Sequence, residues 1–150
     1  MSAATPEYNK PVPRPLSPEL TRPFWEAAKR HQLVLPRCTR CSRYHFYPRE
    51  VCPYCFSQGL EWVPVSGRGR LYTYTVIHQP ENRAFQDDVP YAHCIVRLEE
   101  GVMMMSNVVC CQIPDDLRVD MPLEAVFDDV TSEWTLVKFK PAGSAQPGTP

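Results

Sequence analysis

Residues 38–55 read CTRCSRYHFYPREVCPYC, two Cys-x-x-Cys pairs (Cys38 with Cys41, Cys52 with Cys55) separated by ten residues. A tetrahedral zinc ion takes soft donors at about 2.3 Å, and two such knuckles supply four of them from opposite sides. The spacer is short but sufficient for a small hairpin through Tyr44-His45-Phe46-Tyr47. We therefore expect Cys38, Cys41, Cys52 and Cys55 to bind one structural zinc. Four thiolates fill a tetrahedral shell and leave no open coordination position for a catalytic metal. Iron on the same thiolates, an electron carrier, is the chemical rival. A tetrathiolate zinc carries a net charge of about −2. Arg37, Arg40, Arg43 and Arg49 lie near enough in sequence to offset it.

Upstream, Leu33-Val34-Leu35 reads as a short strand leading into the cysteines. A helix is expected from about Arg22 to Arg30, within a segment 21–32. Thr21 would be its N-cap, Pro23 would sit in its first turn, and Phe24 and Ala28 would share a face. Residues 1–20 form a proline-rich extended arm, with KPVPRPLSP at its centre. At the other end, residues 141–150, PAGSAQPGTP, have the composition of a disordered tail.

Downstream, Glu61–Val65 is extended and closes a ribbon over 33–65. Ser66-Gly67-Arg68-Gly69 is a turn. Five strands are then expected: Arg70–Ile77, Tyr91–Leu98, Val102–Cys111, Leu123–Val126 and Trp134–Phe139. In the first, Leu71, Thr73, Thr75 and Ile77 alternate with Tyr72, Tyr74 and Val76. Glu99-Glu100-Gly101 is a tight turn. Five strands in so short a stretch fit an OB-fold barrel over 66–140. The fold class is mainly β, with one N-terminal helix and a rubredoxin-like ribbon.

The chain has 150 residues, a size suited to one domain with a metal-stapled appendage. Its start has neither a basic nor an apolar segment, so no signal peptide is expected. No apolar run approaches the roughly 20 residues that cross a bilayer. A cytoplasmic location follows, in which seven cysteines are thiols rather than a disulfide set. The net charge of −1 hides an asymmetry. Residues 1–69 hold ten Lys/Arg against five Asp/Glu, whereas residues 70–150 hold six against twelve.

The order of motifs resembles a known family. Thr21 with Phe24-Trp25-Glu26-Ala27 precedes the two knuckles. Tyr47-Pro48-Arg49, Glu61-Trp62, Ser66-Gly67-Arg68-Gly69, Pro90-Tyr91, Glu100-Gly101, Phe127 and Phe139-x-Pro141 keep the family's sequence. This is similar to the rubredoxin-like zinc-ribbon plus OB-fold family associated with acyl-CoA enzymes, over about residues 15–141. Ser42 and Phe56 depart from it, standing where a glycine often follows a knuckle, and Asp120 replaces the glycine usual before Met-Pro. The resemblance implies a non-catalytic accessory subunit of a thiolase-like condensing enzyme, an aldolase or a hydratase acting on CoA thioesters. The catalytic groups would lie on the partner chain.

Within this chain, His31, His45, His78 and His93 belong to no nucleophile motif, and His78 reads as a loop anchor. Cys94, Cys110 and Cys111 read as strand residues, since free cysteine is commonly buried. Arg68, Gly69 and Arg70 are candidate CoA-phosphate contacts, the glycine allowing close approach. Phe24 and Trp25 are candidate anchors for a protein partner. The rival class is a single-stranded nucleic-acid module, because OB barrels with ribbons also serve that role. The acidic barrel region opposes it, since strand binding needs neutralised phosphates.

Overall fold

The computed structural model describes residues 8–144. Most of the expected arm (8–20) and the start of the expected tail (141–144) fall inside this range; residues 1–7 and 145–150 lie outside it. The order is α1 (Pro18–Lys29), β1 (Val34–Cys38), β2 (Leu60–Pro64), β3 (Arg68–Ile77), a 3-10 turn (Arg83–Asp88), β4 (Tyr91–Leu98), β5 (Met103–Val108), β6 (Pro122–Asp129) and β7 (Thr135–Pro141).

The helix starts earlier than Thr21. Ser17 is its N-cap and Pro18 takes the first position, where a missing N–H costs nothing. Thr21 lies inside the first turn, its hydroxyl donating to the Ser17 carbonyl at 3.1 Å. Phe24, Ala27 and Ala28 are buried, the spacing of one helical face. His31 ends the helix in the left-handed region at φ 55°, and its ring stacks on Phe127 of β6 at 5.4 Å. Its Nε2 lies 2.9 Å from Asp129. Asp129 is held below its usual carboxylate range by the Thr135 hydroxyl and then by His31.

Strands β1 and β2 form the antiparallel base of the ribbon, with Val34 opposite Pro64 and Cys38 opposite Leu60. The other five strands close into a barrel of order β3-β4-β5-β7-β6, sealed by Gly69 of β3 against Leu123 of β6. Gly101, at φ 83°, makes the left-handed turn from β4 to β5.

Two strands differ from their expected reading. In β3 a bulge between Leu71 and Thr73 inserts Tyr72, so the faces exchange beyond it. Thr73 and Thr75 are exposed, while Tyr74 packs on the core. The apolar run Val102–Cys111 is a strand only over Met103–Val108, because Cys110 adopts φ 62° and turns the chain. Cys110 and Cys111 are therefore loop residues, not alternating strand residues.

One core joins all three parts. Phe24 of the helix and Leu33 and Leu35 beside the ribbon cluster with Leu71, Val96, Leu98, Leu123 and Phe139 of the barrel. Among the described residues no helix is long and apolar enough to cross a membrane.

Candidate metal centre and docking surface

Each knuckle is a tight turn closed by backbone bonds. Ser42 N–H donates to the Cys38 carbonyl at 2.8 Å, and Phe56 N–H donates to that of Cys52 at 3.0 Å. Both donors sit in the left-handed region, Ser42 at φ 61° and Phe56 at φ 59°, which explains why glycine suits these positions. The hairpin between the knuckles returns against the ribbon base, with Tyr44 bridged to Arg37.

The four sulfurs lie within 4.8 Å of one another. Cys38 Sγ is 3.6 Å from Cys55 Sγ, and Cys41 Sγ is 3.7 Å from Cys52 Sγ. A tetrahedron with metal–sulfur bonds of about 2.3 Å has edges of about 3.8 Å, so the donor set fits one zinc ion. Amide donors aid ionisation. The N–H groups of Cys41 and Arg40 hold the Cys38 thiol down, to about 6, the larger share coming from Cys41. Burial opposes ionisation of Cys52, but the N–H groups of Tyr54 and Cys55 outweigh it and lower that thiol. At Cys55 the Ser57 N–H favours the thiolate, but burial and the three neighbouring thiols push it up to about 11. Thiols so crowded resist ionising together, and a dication at their centre removes that conflict.

The other expected site residues scatter. Phe24 is only 7% exposed and sits in the core, so it is not an exposed anchor as expected: its helix lies on the barrel and spends that ring there. Trp25 is half-buried, edge-on to Phe24 and to Trp134 at 5.1 Å. Arg68 pairs with Glu99 at 3.3 Å, and Arg70 donates to the Asp120 carbonyl at 2.8 Å. Gly69 faces the backbone of Arg97. His78 is exposed just beyond β3. Cys94 is buried, its thiol pushed up to about 12 by burial, and donates to the Ser106 carbonyl.

Two grooves mark the surface of the barrel. One of about 340 Å³ lies between the helix, the ribbon hairpin and strands β5 and β7, with Phe24, Phe46 and Met105 in its walls. The other, about 680 Å³, lies between the N-terminal arm and the barrel, where Lys10 reaches Asp88 at 2.6 Å. Sequence reasoning missed the outward rings of the second knuckle, Tyr54 at 52% and Phe56 at 79% exposure. Their only signal was Phe56 standing in a glycine's place.

Fold and centre together define a protein in which a tetrathiolate ribbon is built onto an OB barrel through a shared core. The family described as "ChsH2, rubredoxin-like zinc ribbon domain" matches residues 25–61, and "ChsH2, C-terminal OB-fold domain" matches residues 62–128. A DUF35 domain-containing scaffold protein of Methanothermobacter thermautotrophicus is 36% identical over 116 residues, 77% of this chain and 86% of that protein. The chain belongs to this ChsH2/DUF35 family. A probable enoyl-CoA hydratase alpha subunit of Thermomonospora curvata is 37% identical over 120 residues, 79% of this chain. The chain spans only 37% of that subunit's length. The solved "Ltp2-ChsH2(DUF35) aldolase" superposes with a TM-score of 0.76 at 34% identity, covering 86% of this chain and 99% of the matched one.

Proposed function

We propose that this chain is a non-catalytic scaffold subunit that docks on an enzyme acting on CoA thioesters. Cys38, Cys41, Cys52 and Cys55 hold the structural zinc that stiffens its docking platform. The observation that carries this reading is the single core running through helix, ribbon base and barrel, to which β1 joins the tetrathiolate centre at Cys38. The names of relatives, a scaffold protein, a hydratase alpha subunit and an aldolase complex, support the class of partner. A thiolase-like condensing enzyme is the narrower proposal within that class. Among the described residues, Cys94 is buried and strongly protonated, and no histidine stands beside it as a hydrogen-bonded base. Such a thiol is no nucleophile.

Arg68, Gly69 and Arg70 remain the proposed contact for CoA phosphates. Their ion pairs with Glu99 and Asp120 are solvent-exposed, and pairs of that kind hold by under about 1 kcal/mol, so a phosphate can displace the carboxylates. The test is affinity capture of the full chain in its native host, with mass spectrometry of what elutes and elemental analysis of the bound metal. An acyl-CoA enzyme at fixed stoichiometry and about one zinc per chain are expected. Salt-sensitive binding of single strands in a gel shift, with no enzyme captured, would replace this reading with the nucleic-acid one.

A further inference from the structure

Phe56 is the most exposed aromatic side chain in the described structure, and it occupies a left-handed position at φ 59°. A side chain in that conformation is less favourable than glycine. Leaving a phenyl ring in water also forgoes the gain that burial would bring. Among the described residues little covers this ring, which leaves it free to bury itself in a partner. Tyr54, two residues earlier, is also exposed, and Arg43 of the first knuckle lies over its ring at 5.0 Å.

Two cations belong to the first knuckle, as these rings belong to the second. Arg22, Arg37, Arg68, Arg70 and Arg97 each face a carboxylate. Arg40 and Arg43 are exposed and face none among the described residues. The knuckles that carry these four residues converge through their thiols, so a bound metal fixes the two turns relative to each other.

We infer that the knuckle tips, Phe56 and Tyr54 with Arg40 and Arg43, are the face that docks on the enzyme partner, with Phe56 seated in an apolar pocket rimmed by carboxylates. This rests on the reading of the chain as a scaffold subunit. Aromatic and arginine side chains are the commonest interface anchors, and a ring presented by a rigid turn loses little freedom on binding. Two exposed guanidinium groups on one knuckle and an apolar ring on the other favour an acidic rim. Single-stranded nucleic acid also takes aromatic and arginine contacts. Here Arg43 already covers one face of Tyr54, and two arginines neutralise too few phosphates for firm binding. The acidic barrel of a second copy is the remaining competitor.

The experiment uses the zinc-loaded full chain and the acyl-CoA enzyme subunit recovered with it, purified and recombined. Phe56→Gly keeps the turn and deletes the ring. Its zinc content should match wild type and its Tm should be equal or higher, while Kd for the enzyme rises at least about thirty-fold. Arg40→Glu with Arg43→Glu should slow association and flatten its salt dependence. Equal affinity of Phe56→Gly and wild type overturns the docking face and leaves the scaffold reading intact. A ring deletion that abolishes self-association in sedimentation, or strand binding in a gel shift, while sparing enzyme binding overturns it too. If wild type itself takes up no acyl-CoA enzyme, the scaffold reading fails, and the face falls with it.

Discussion

Gly69 lies where β3 runs tight against β4. A Cβ built there would come within 2.6 Å of the Arg97 carbonyl and 2.8 Å of Val96 Cγ1. The carbonyl belongs to a paired strand and cannot withdraw, so the clash must move a strand. Gly69→Ala should therefore cost on the order of 1–3 kcal/mol of stability, read as a fall in Tm with no ligand present. A glycine kept only for close approach of CoA would tolerate alanine in the free protein and lose CoA affinity alone. Measuring both quantities on one variant separates strand packing from ligand binding. Lys140 shows a different residue-scale solution. Only 6% exposed, it is matched by Glu124 at 2.8 Å, which holds that carboxylate below its usual range by a hydrogen bond and then by charge.

At the scale of elements, the ribbon depends on its metal more than the barrel does. Between β1 and β2, residues 39–59 contain no regular strand, only two knuckles, an isolated bridge and a few backbone bonds. Metal binding there is folding free energy. Chelation at neutral pH should speed amide exchange throughout 39–59, while the β4 amides paired to both β3 and β5 keep their protection. Uniform protection after verified metal loss would mean that the hairpin stands without the ion. The knuckles were readable because ligand spacing is written in sequence separations. Element ends were less so. Pro23 mimics a first-turn proline, but Pro18 holds that position, so the helix begins before Thr21. Nothing in the apolar run from Val102 to Cys111 signals a stop, because the turn is made by Cys110 in a left-handed conformation without a glycine. The bulge at Tyr72, which exchanges the faces of β3, leaves no compositional trace either. Exposure is equally silent in sequence. Phe24 and Phe56 look alike as letters, yet one lies in the core and the other in solvent.

For the whole molecule, the question is whether ribbon and barrel melt together. Leu35 belongs to the ribbon strand β1, is 0% exposed, and joins the same apolar cluster as Phe24, Leu71 and Phe139. The helix completes this join, touching β1 on one side and β6 and β7 on the other. Leu35→Ala removes about three methyl or methylene groups from that junction and leaves a void, a change that costs 2–5 kcal/mol on the order-of-magnitude scale of core truncations. If the core is one cooperative unit, the zinc-loaded variant should unfold in a single transition at lower temperature, with knuckle and barrel probes falling together. Scanning calorimetry should then return equal calorimetric and van't Hoff enthalpies. Two transitions, with only the ribbon's displaced by Leu35→Ala, would instead mean that barrel and ribbon are linked bodies. In that case the orientation of the knuckle tips is not set by the barrel, and the zinc centre stiffens the ribbon alone.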